Sequence, residues 1–106
     1  MSYDDILEKI FDLSKYEGKT LEQRALKLSE ETGEVAEAVL SCMGAPTCSY
    51  KGLNNNDILQ EAIDVIIVAF SCIEQLNVTD KDIKNMFDAK LGKWKKKINN
   101  EKNIKE

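Results

Sequence analysis

The chain has 106 residues, of which 42% are hydrophobic and 32% charged, and its formal net charge is -4. One Pro and five Gly are too few for a disordered or fibrous chain, and the length predicts a single domain over residues 1–106. The acidic balance argues against a nucleic-acid partner, because non-specific binding needs Lys and Arg to neutralise phosphates. An anionic substrate is still compatible with this charge if metal ions reverse it locally.

The cysteine and histidine content narrows the chemistry further. Three cysteines are present, Cys42, Cys48 and Cys72, and there is no His. An odd number of cysteines, with no signal peptide visible in the polar first residues, predicts reduced thiols in a cytoplasmic protein. Without His or a CxxC motif, a zinc site and Ser-His or Cys-His nucleophiles are disfavoured. Acid–base chemistry must then come from carboxylates, Lys, Tyr or metal-bound water.

Capping boxes and clustered N-cap candidates predict the starts of four helices. These signals are Ser2 with Asp5, Thr20 with Gln23, the polar run 54–57, and Thr79 with Asp82. The predicted helices cover about residues 2–15, 20–43, 54–76 and 79–98. The stretch Gly-Ala-Pro-Thr at 44–47 breaks the second helix, and the polar tail 99–106 is expected to fray.

The third predicted helix contains the run VIIVAF at 65–70, which is apolar on all sides. An all-round apolar helix is typical of a buried helix. The β-branched residues also suit a β-strand, but the long helical pattern around them favours a helix. The run is well short of the roughly 20 residues needed to span a bilayer, so no membrane partner is expected.

Two pairs of acidic residues share the same helical spacing. Glu31 and Glu34 are three residues apart on the second predicted helix, and Glu61 and Asp64 are three apart on the third. With about 100° between successive residues, Glu31 lies at the edge of an acidic arc, next to the apolar stripe. Like charges at this spacing repel each other unless a cation lies between them.

The position of Asp64 strengthens the case for a bound ion. It directly precedes the most apolar run of the chain, where a carboxylate is costly to bury unless it is paired or binds a metal. Two antiparallel helices would bring the four carboxylates together, and oxygen ligands alone suit Mg²⁺ or Mn²⁺. Two ordinary readings stay open: the acids form a solvated helix face, or Lys27 neutralises Glu31 as an i, i+4 ion pair.

The sequence EETGE at 30–34, followed by EAID at 61–64, resembles the EExxE…ExxD signature of the MazG-like nucleotide pyrophosphohydrolases. These enzymes belong to the all-α NTP pyrophosphatase superfamily. The likeness extends over roughly residues 27–97 and includes the basic segment KLGKW at 90–94, similar to the last helix of the family. The paired motif is fairly specific, whereas an isolated EExxE on a helix would not be.

The resemblance implies an all-α, antiparallel four-helix bundle that assembles as a homodimer or homotetramer. It also implies Mg²⁺-dependent hydrolysis of an NTP or dNTP to the monophosphate and pyrophosphate, with Mn²⁺ as a substitute ion. By this likeness Glu31, Glu34, Glu61 and Asp64 would be the metal ligands. Glu30 matches the first Glu of the motif and would be either a further ligand or the base that orients the water, so Glu30 and Glu31 become the candidate catalytic residues.

Basic and aromatic residues are the candidates for substrate binding. They are Lys27, Lys90, Lys93, Lys97 and Trp94, with Lys51, Tyr16 and Tyr50 as further candidates. The lysines of the fourth helix would bind phosphate oxygens, although positive charge near a helix C-terminus is also favourable by itself. The aromatic side chains could stack on a base, but packing is the favoured interpretation for each. Substrate selection is expected from the loop at 44–53, because loops vary over a rigid scaffold.

Two alternative functions remain from the sequence alone. A phosphoribosyl-ATP pyrophosphohydrolase would share the helical bundle and the acidic pairs. A non-catalytic helical interaction protein would carry the same acids as surface charge. A di-iron carboxylate protein is excluded, because its Glu-x-x-His elements need His.

Overall fold

A computed structural model describes residues 1–46 and 48–102. This part of the chain contains four α-helices, one short 3-10 helix and no β-strand, so the all-α prediction is confirmed. The α-helices are α1 (Tyr3–Tyr16), α2 (Leu21–Cys42), α3 (Asn55–Glu74) and α4 (Asp80–Glu101), and the 3-10 helix is Ser49–Lys51. None of the described helices has the length and apolar character that crossing a membrane demands.

The predicted N-caps start all four helices. At α1, Ser2 Oγ accepts a hydrogen bond from the Asp5 amide at 3.1 Å, and Asp5 accepts one in return from the Ser2 amide at 3.2 Å. The same reciprocal capping box forms at Thr20, at Asn54 and at Thr79. Each cap satisfies helix amides that have no intrahelical acceptor and contributes about 1 kcal/mol.

The helix ends depart from the predictions by a few residues. α2 ends just before Gly44, whose φ of +79° is easy only for glycine. α3 ends at Glu74, and Asn77 has a φ of 57°, a left-handed conformation that Asn tolerates. α4 continues to Glu101, past its predicted end at 98. The last part of the predicted frayed tail, 103–106, and Thr47 in the predicted break lie outside the described residues.

The chain divides into two compact units, Met1–Leu76 and Asn77–Glu106. In the first unit α2 packs chiefly against α3, α1 also packs against α3, and the 3-10 helix lies on α2. Phe11 of α1 meets Phe70 of α3 edge to face, with ring centroids 5.7 Å apart. The second unit consists of α4 and its flanking residues. The single-domain interpretation stays a prediction.

The apolar run on α3 is helical, so the β-strand alternative is wrong, but the expected burial of the run is also wrong in part. Ile66 and Ile67 keep 45% and 41% of their surface exposed, and Ile63 keeps 44%. The reason is geometric: within the first unit, α1 and α2 cover only part of the circumference of α3. A helix that is apolar on all sides therefore presents an uncovered apolar strip.

A buried arginine ties the three helices of the first unit together. Arg24, the only arginine in the chain, is 2% exposed. Its Nη1 donates to the Ser71 carbonyl at 2.6 Å, and its Nη2 donates to the carbonyls of Ser14 at 2.9 Å and Glu17 at 3.2 Å. Glu74 lies 3.4 Å from Nη1. Arg24, on α2, thus satisfies carbonyls at the ends of α1 and α3 and links α2 to both helices.

Candidate metal centre

The acidic residues of α2 and α3 form two overlapping groups that share Glu31. Oxygens of Glu30, Glu31 and Glu34 lie within 4.8 Å of one another, and so do oxygens of Glu31, Glu61 and Asp64. The i, i+3 spacing places each pair on one side of its helix, and the packing of α2 against α3 brings the two sides together. The four carboxylates singled out from the sequence are therefore close in space.

The member of this cluster that is hardest to explain as surface charge is Glu31, not Asp64. Glu31 is 5% exposed, whereas Asp64 is exposed and Glu34 and Glu61 are half-buried. The expectation for Asp64 assumed that the apolar run after it was buried, and part of that run is exposed. Glu31 instead follows the prediction from the helical wheel, at the border between the acids and the apolar stripe.

Two carboxylate oxygens in the cluster are buried and have no hydrogen-bond partner within residues 1–46 and 48–102. They are Oε2 of Glu31 and Oε2 of Glu61. The Lys27–Glu31 ion pair does form, with Lys27 Nζ 3.1 Å from Glu31 Oε1, but it occupies only that one oxygen. An unsatisfied buried acceptor costs about 1–3 kcal/mol, and more when it is charged. The ordinary ion pair therefore satisfies Oε1 of Glu31 and leaves Oε2 without a hydrogen-bond donor from the described residues.

Mutual repulsion also shows in the protonation of the cluster. A hydrogen bond with Glu61 and the negative charge of Glu31 raise the pKa of Glu34 to about 7. The hydrogen bond requires a proton between the two carboxyl groups, and the nearby charge favours the neutral form. The hydrogen bond to Glu31 and the charge of Glu30 raise the pKa of Lys27. At neutral pH the five carboxylates therefore carry more negative charge than Lys27 alone can neutralise, and the cluster partly compensates by binding a proton at Glu34.

We expect Mg²⁺ affinity to rise as the pH increases through about 7, because the ion must displace the proton on Glu34. One displaced proton with this pKa predicts an affinity gain of about tenfold between pH 6 and pH 8. For the metal-free protein, the contribution of Glu34 to the free energy of unfolding changes in the opposite direction: it falls as the pH rises. The raised pKa of Glu34 favours the protonated folded state, so this stabilisation is lost as the pH rises through about 7. Calorimetric Mg²⁺ titrations at several pH values, with Glu34→Gln as the pH-insensitive control, measure the effect; equal affinity across this range would refute it.

The predicted substrate-binding residues are distributed over both units. Lys27 lies at the carboxylate cluster, 3.5 Å from Glu30 as well as 3.1 Å from Glu31. The remaining members of the predicted set belong to α4 in the second unit and are exposed there, and their role towards a substrate stays a prediction. These are Lys90, Lys93, Trp94 and Lys97.

The other candidates on the first unit have different surroundings. Lys51 forms an ion pair with Glu37, which belongs to neither acidic group, and Lys51 Nζ lies 6.0 Å from the centre of the Tyr50 ring. The ion pair between Lys51 and Glu37 joins the 3-10 helix to α2. Tyr16 and Tyr50 are 89% and 79% exposed, so the expectation that they pack is wrong for both side chains.

The residue that the sequence reasoning missed is Arg24. Its signal was present, because Arg24, Leu28 and Glu31 follow each other at spacings of four and three and so share one side of α2 with the apolar stripe. A lone arginine on a buried stripe indicates a structural hydrogen-bonding role.

Comparisons with protein-family models, with curated proteins and with solved structures gave no match to this chain. A function must therefore be inferred from the chemistry of the carboxylate cluster and from the sequence motif that forms it.

Proposed function

We propose that this protein is a Mg²⁺-dependent nucleoside triphosphate pyrophosphohydrolase, which converts an NTP or dNTP and water to the monophosphate and pyrophosphate. The observation that carries the proposal is the pair of buried, unpartnered oxygens on Glu31 and Glu61 inside a cluster of five carboxylates. An ion with oxygen ligands would satisfy both oxygens and relieve the repulsion among these carboxylates. The resemblance of the two acidic motifs to the MazG-like signature supports the same activity.

The donor set fits magnesium. Glu31, Glu34, Glu61 and Asp64 offer only carboxylate oxygens, which hard cations prefer, and Mn²⁺ would be accepted by the same ligands. The exposed position of Asp64 beside the buried Glu31 leaves one side of the cluster open to substrate phosphates. Magnesium, when bound there, would neutralise phosphate charge and lower the pKa of a water molecule.

The side chains around the ligands have distinct roles in the proposed reaction. Glu30 is in the Glu30–Glu31–Glu34 group and is exposed, so its carboxylate can accept the proton of the water that attacks the α-phosphorus. The bond from the α-phosphorus to the bridging oxygen then breaks, and pyrophosphate leaves. Lys27, fixed by Glu30 and Glu31, supplies a positive charge beside the cluster for phosphate oxygens. Positioning and charge stabilisation account for most of the catalysis in such transfers.

The proposal includes the finer architecture implied by the motif. We infer an antiparallel four-helix bundle that assembles as a homodimer or homotetramer in the cytoplasm. The uncovered apolar side chains of α3 and α4 support association, because exposed strips of this kind are typical of interaction surfaces. They are Ile63, Ile66 and Ile67 on α3, and Met86, Leu91 and Trp94 on α4.

Thermal melting tests whether the cluster binds the proposed ligands. Mg²⁺ together with a non-hydrolysable nucleoside triphosphate should raise the melting midpoint, because ligands that bind only the native state stabilise it. At about 100 times the dissociation constant the gain is about 2.7 kcal/mol. Mg²⁺ alone should give a smaller rise, and Glu37→Gln should melt like the wild type with and without ligands. No rise with any common nucleotide would favour the non-catalytic interaction protein instead.

A further inference from the structure

A cavity of about 430 Å³ lies between α1, α2 and α3 in the first unit. Its walls are mainly apolar, with side chains from α1 and α3, and its volume is within the roughly 300–1,000 Å³ typical of small-molecule pockets. The lining residues used below are Leu13, Arg24, Lys27, Ile67 and Val68. No residue of the carboxylate cluster lines it.

Residues of the cavity wall neighbour the carboxylate cluster on both α2 and α3. Lys27 lines the cavity and also contacts Glu30 and Glu31 through its Nζ. On α3, Ile67 and Val68 follow Asp64 by one helical turn, on the same side of the helix. A molecule with its phosphates at the cluster can therefore extend past Lys27 into the apolar cavity.

One residue of the cavity wall also has a donor that lacks an acceptor among the described residues. Arg24 is 2% exposed, and four hydrogen bonds to Ser14, Glu17, Ser71 and Glu74 hold its Nη atoms in place, while its Nε is buried without a partner. A flat aromatic ring with hydrogen-bond acceptors at its edge would fit the apolar walls and the fixed guanidinium of this cavity.

We propose that this cavity holds the nucleoside portion of the substrate, with the base between the side chains of α1 and α3 and an acceptor edge towards Arg24. The inference rests on the proposed function and adds to it the site that binds the base. It places substrate recognition inside the first unit, at Leu13, Arg24 and Ile67, rather than in the loop at 44–53.

Two adjacent isoleucines provide a matched test by substitution. Ile67 lines the cavity and is 41% exposed, whereas Ile66 is 45% exposed and does not line it. Ile67→Trp should occupy part of the cavity at its α3 wall and weaken binding of an α,β-methylene nucleoside triphosphate, with Mg²⁺, about tenfold, or about 1.4 kcal/mol. The same variant should bind inorganic triphosphate with Mg²⁺ as the wild type does. Ile66→Trp should leave both affinities unchanged, and equal nucleotide affinity in the two variants overturns the inference.

Amide chemical shifts of the wild-type chain give a second measurement that does not depend on a folded variant. Inorganic triphosphate with Mg²⁺ should perturb amides around Glu31 and Glu61 only. The four common α,β-methylene nucleoside triphosphates should also perturb amides around Leu13 and Val68 for at least one base. Nucleotide shifts confined to the cluster would overturn the cavity assignment while the proposed function stands. No shifts with either probe would overturn the proposed function, and the cavity assignment with it.

Discussion

Glu34→Gln should lower the rate of pyrophosphate release by about 10²–10³-fold, the scale of losing one group that stabilises transition-state charge. The amide keeps the shape of the side chain but removes the charge with which Glu34 would bind Mg²⁺. The fold should persist, because Gln resembles the protonated carboxyl that already hydrogen-bonds with Glu61. Above pH 7 the metal-free variant should even melt at a slightly higher temperature than the wild type, since one charge of the cluster is gone.

A loss of activity without a loss of stability distinguishes a metal ligand from a structural residue. A residue needed mainly for folding would lose activity and stability together, whereas Glu34→Gln should lose activity alone. Asp64→Asn should behave similarly, because Asp64 is exposed and contributes little to the core. Glu37→Gln is the matched control, since Glu37 is on the same helix but pairs with Lys51. Near-wild-type turnover of Glu34→Gln and Asp64→Asn in Mg²⁺ would show that the metal ligands are assigned wrongly.

Arg24→Met should destabilise the first unit by about 3 kcal/mol, the scale of breaking a buried charge pair by removing one partner. The substitution leaves the carbonyls of Ser14, Glu17 and Ser71 without their shared donor and Glu74 without its counter-charge. For a domain of this size the melting midpoint should fall by roughly 12–24 °C. Thermal unfolding followed by circular dichroism measures the change.

Two further variants calibrate the Arg24 result. Arg24→Lys retains a positive charge but not the forked geometry that reaches two helices at once, so it should recover only part of the loss. Lys84→Met removes an exposed ion pair, in which Lys84 Nζ lies 3.1 Å from Asp80, and should cost less than about 1 kcal/mol. The account of Arg24 fails if Arg24→Met and Lys84→Met lower the midpoint equally.

Local features of the structure could be predicted from the sequence because short-range chemistry determines them. The caps at Ser2, Thr20, Asn54 and Thr79 follow from side chains that bond to amides three residues away. The pairing of Glu31 with Glu34 follows from helix geometry alone.

Features that depend on the packing of helices were harder to predict. The sequence predicts more burial for Asp64 than the structure shows. The hydrophobicity of α3 indicates that other helices must pack against it, but it does not show which side of α3 they cover. The hydrogen bonds of Arg24 to Ser14 and Ser71 join residues 10 and 47 positions away, so helical periodicity gives no distance between them. The unpartnered oxygen of Glu31 likewise appears only once α2 and α3 are packed together.

The most direct test of the central claim is a panel of the common NTPs and dNTPs incubated with the protein and Mg²⁺, with monophosphate and pyrophosphate measured separately. We predict that at least one nucleotide yields the two products in equal amounts, that chelation of the metal stops the reaction, and that Glu34→Gln shows the large loss given above. Release of inorganic phosphate from the γ position instead of pyrophosphate, or no turnover of any nucleotide, would contradict the proposed function.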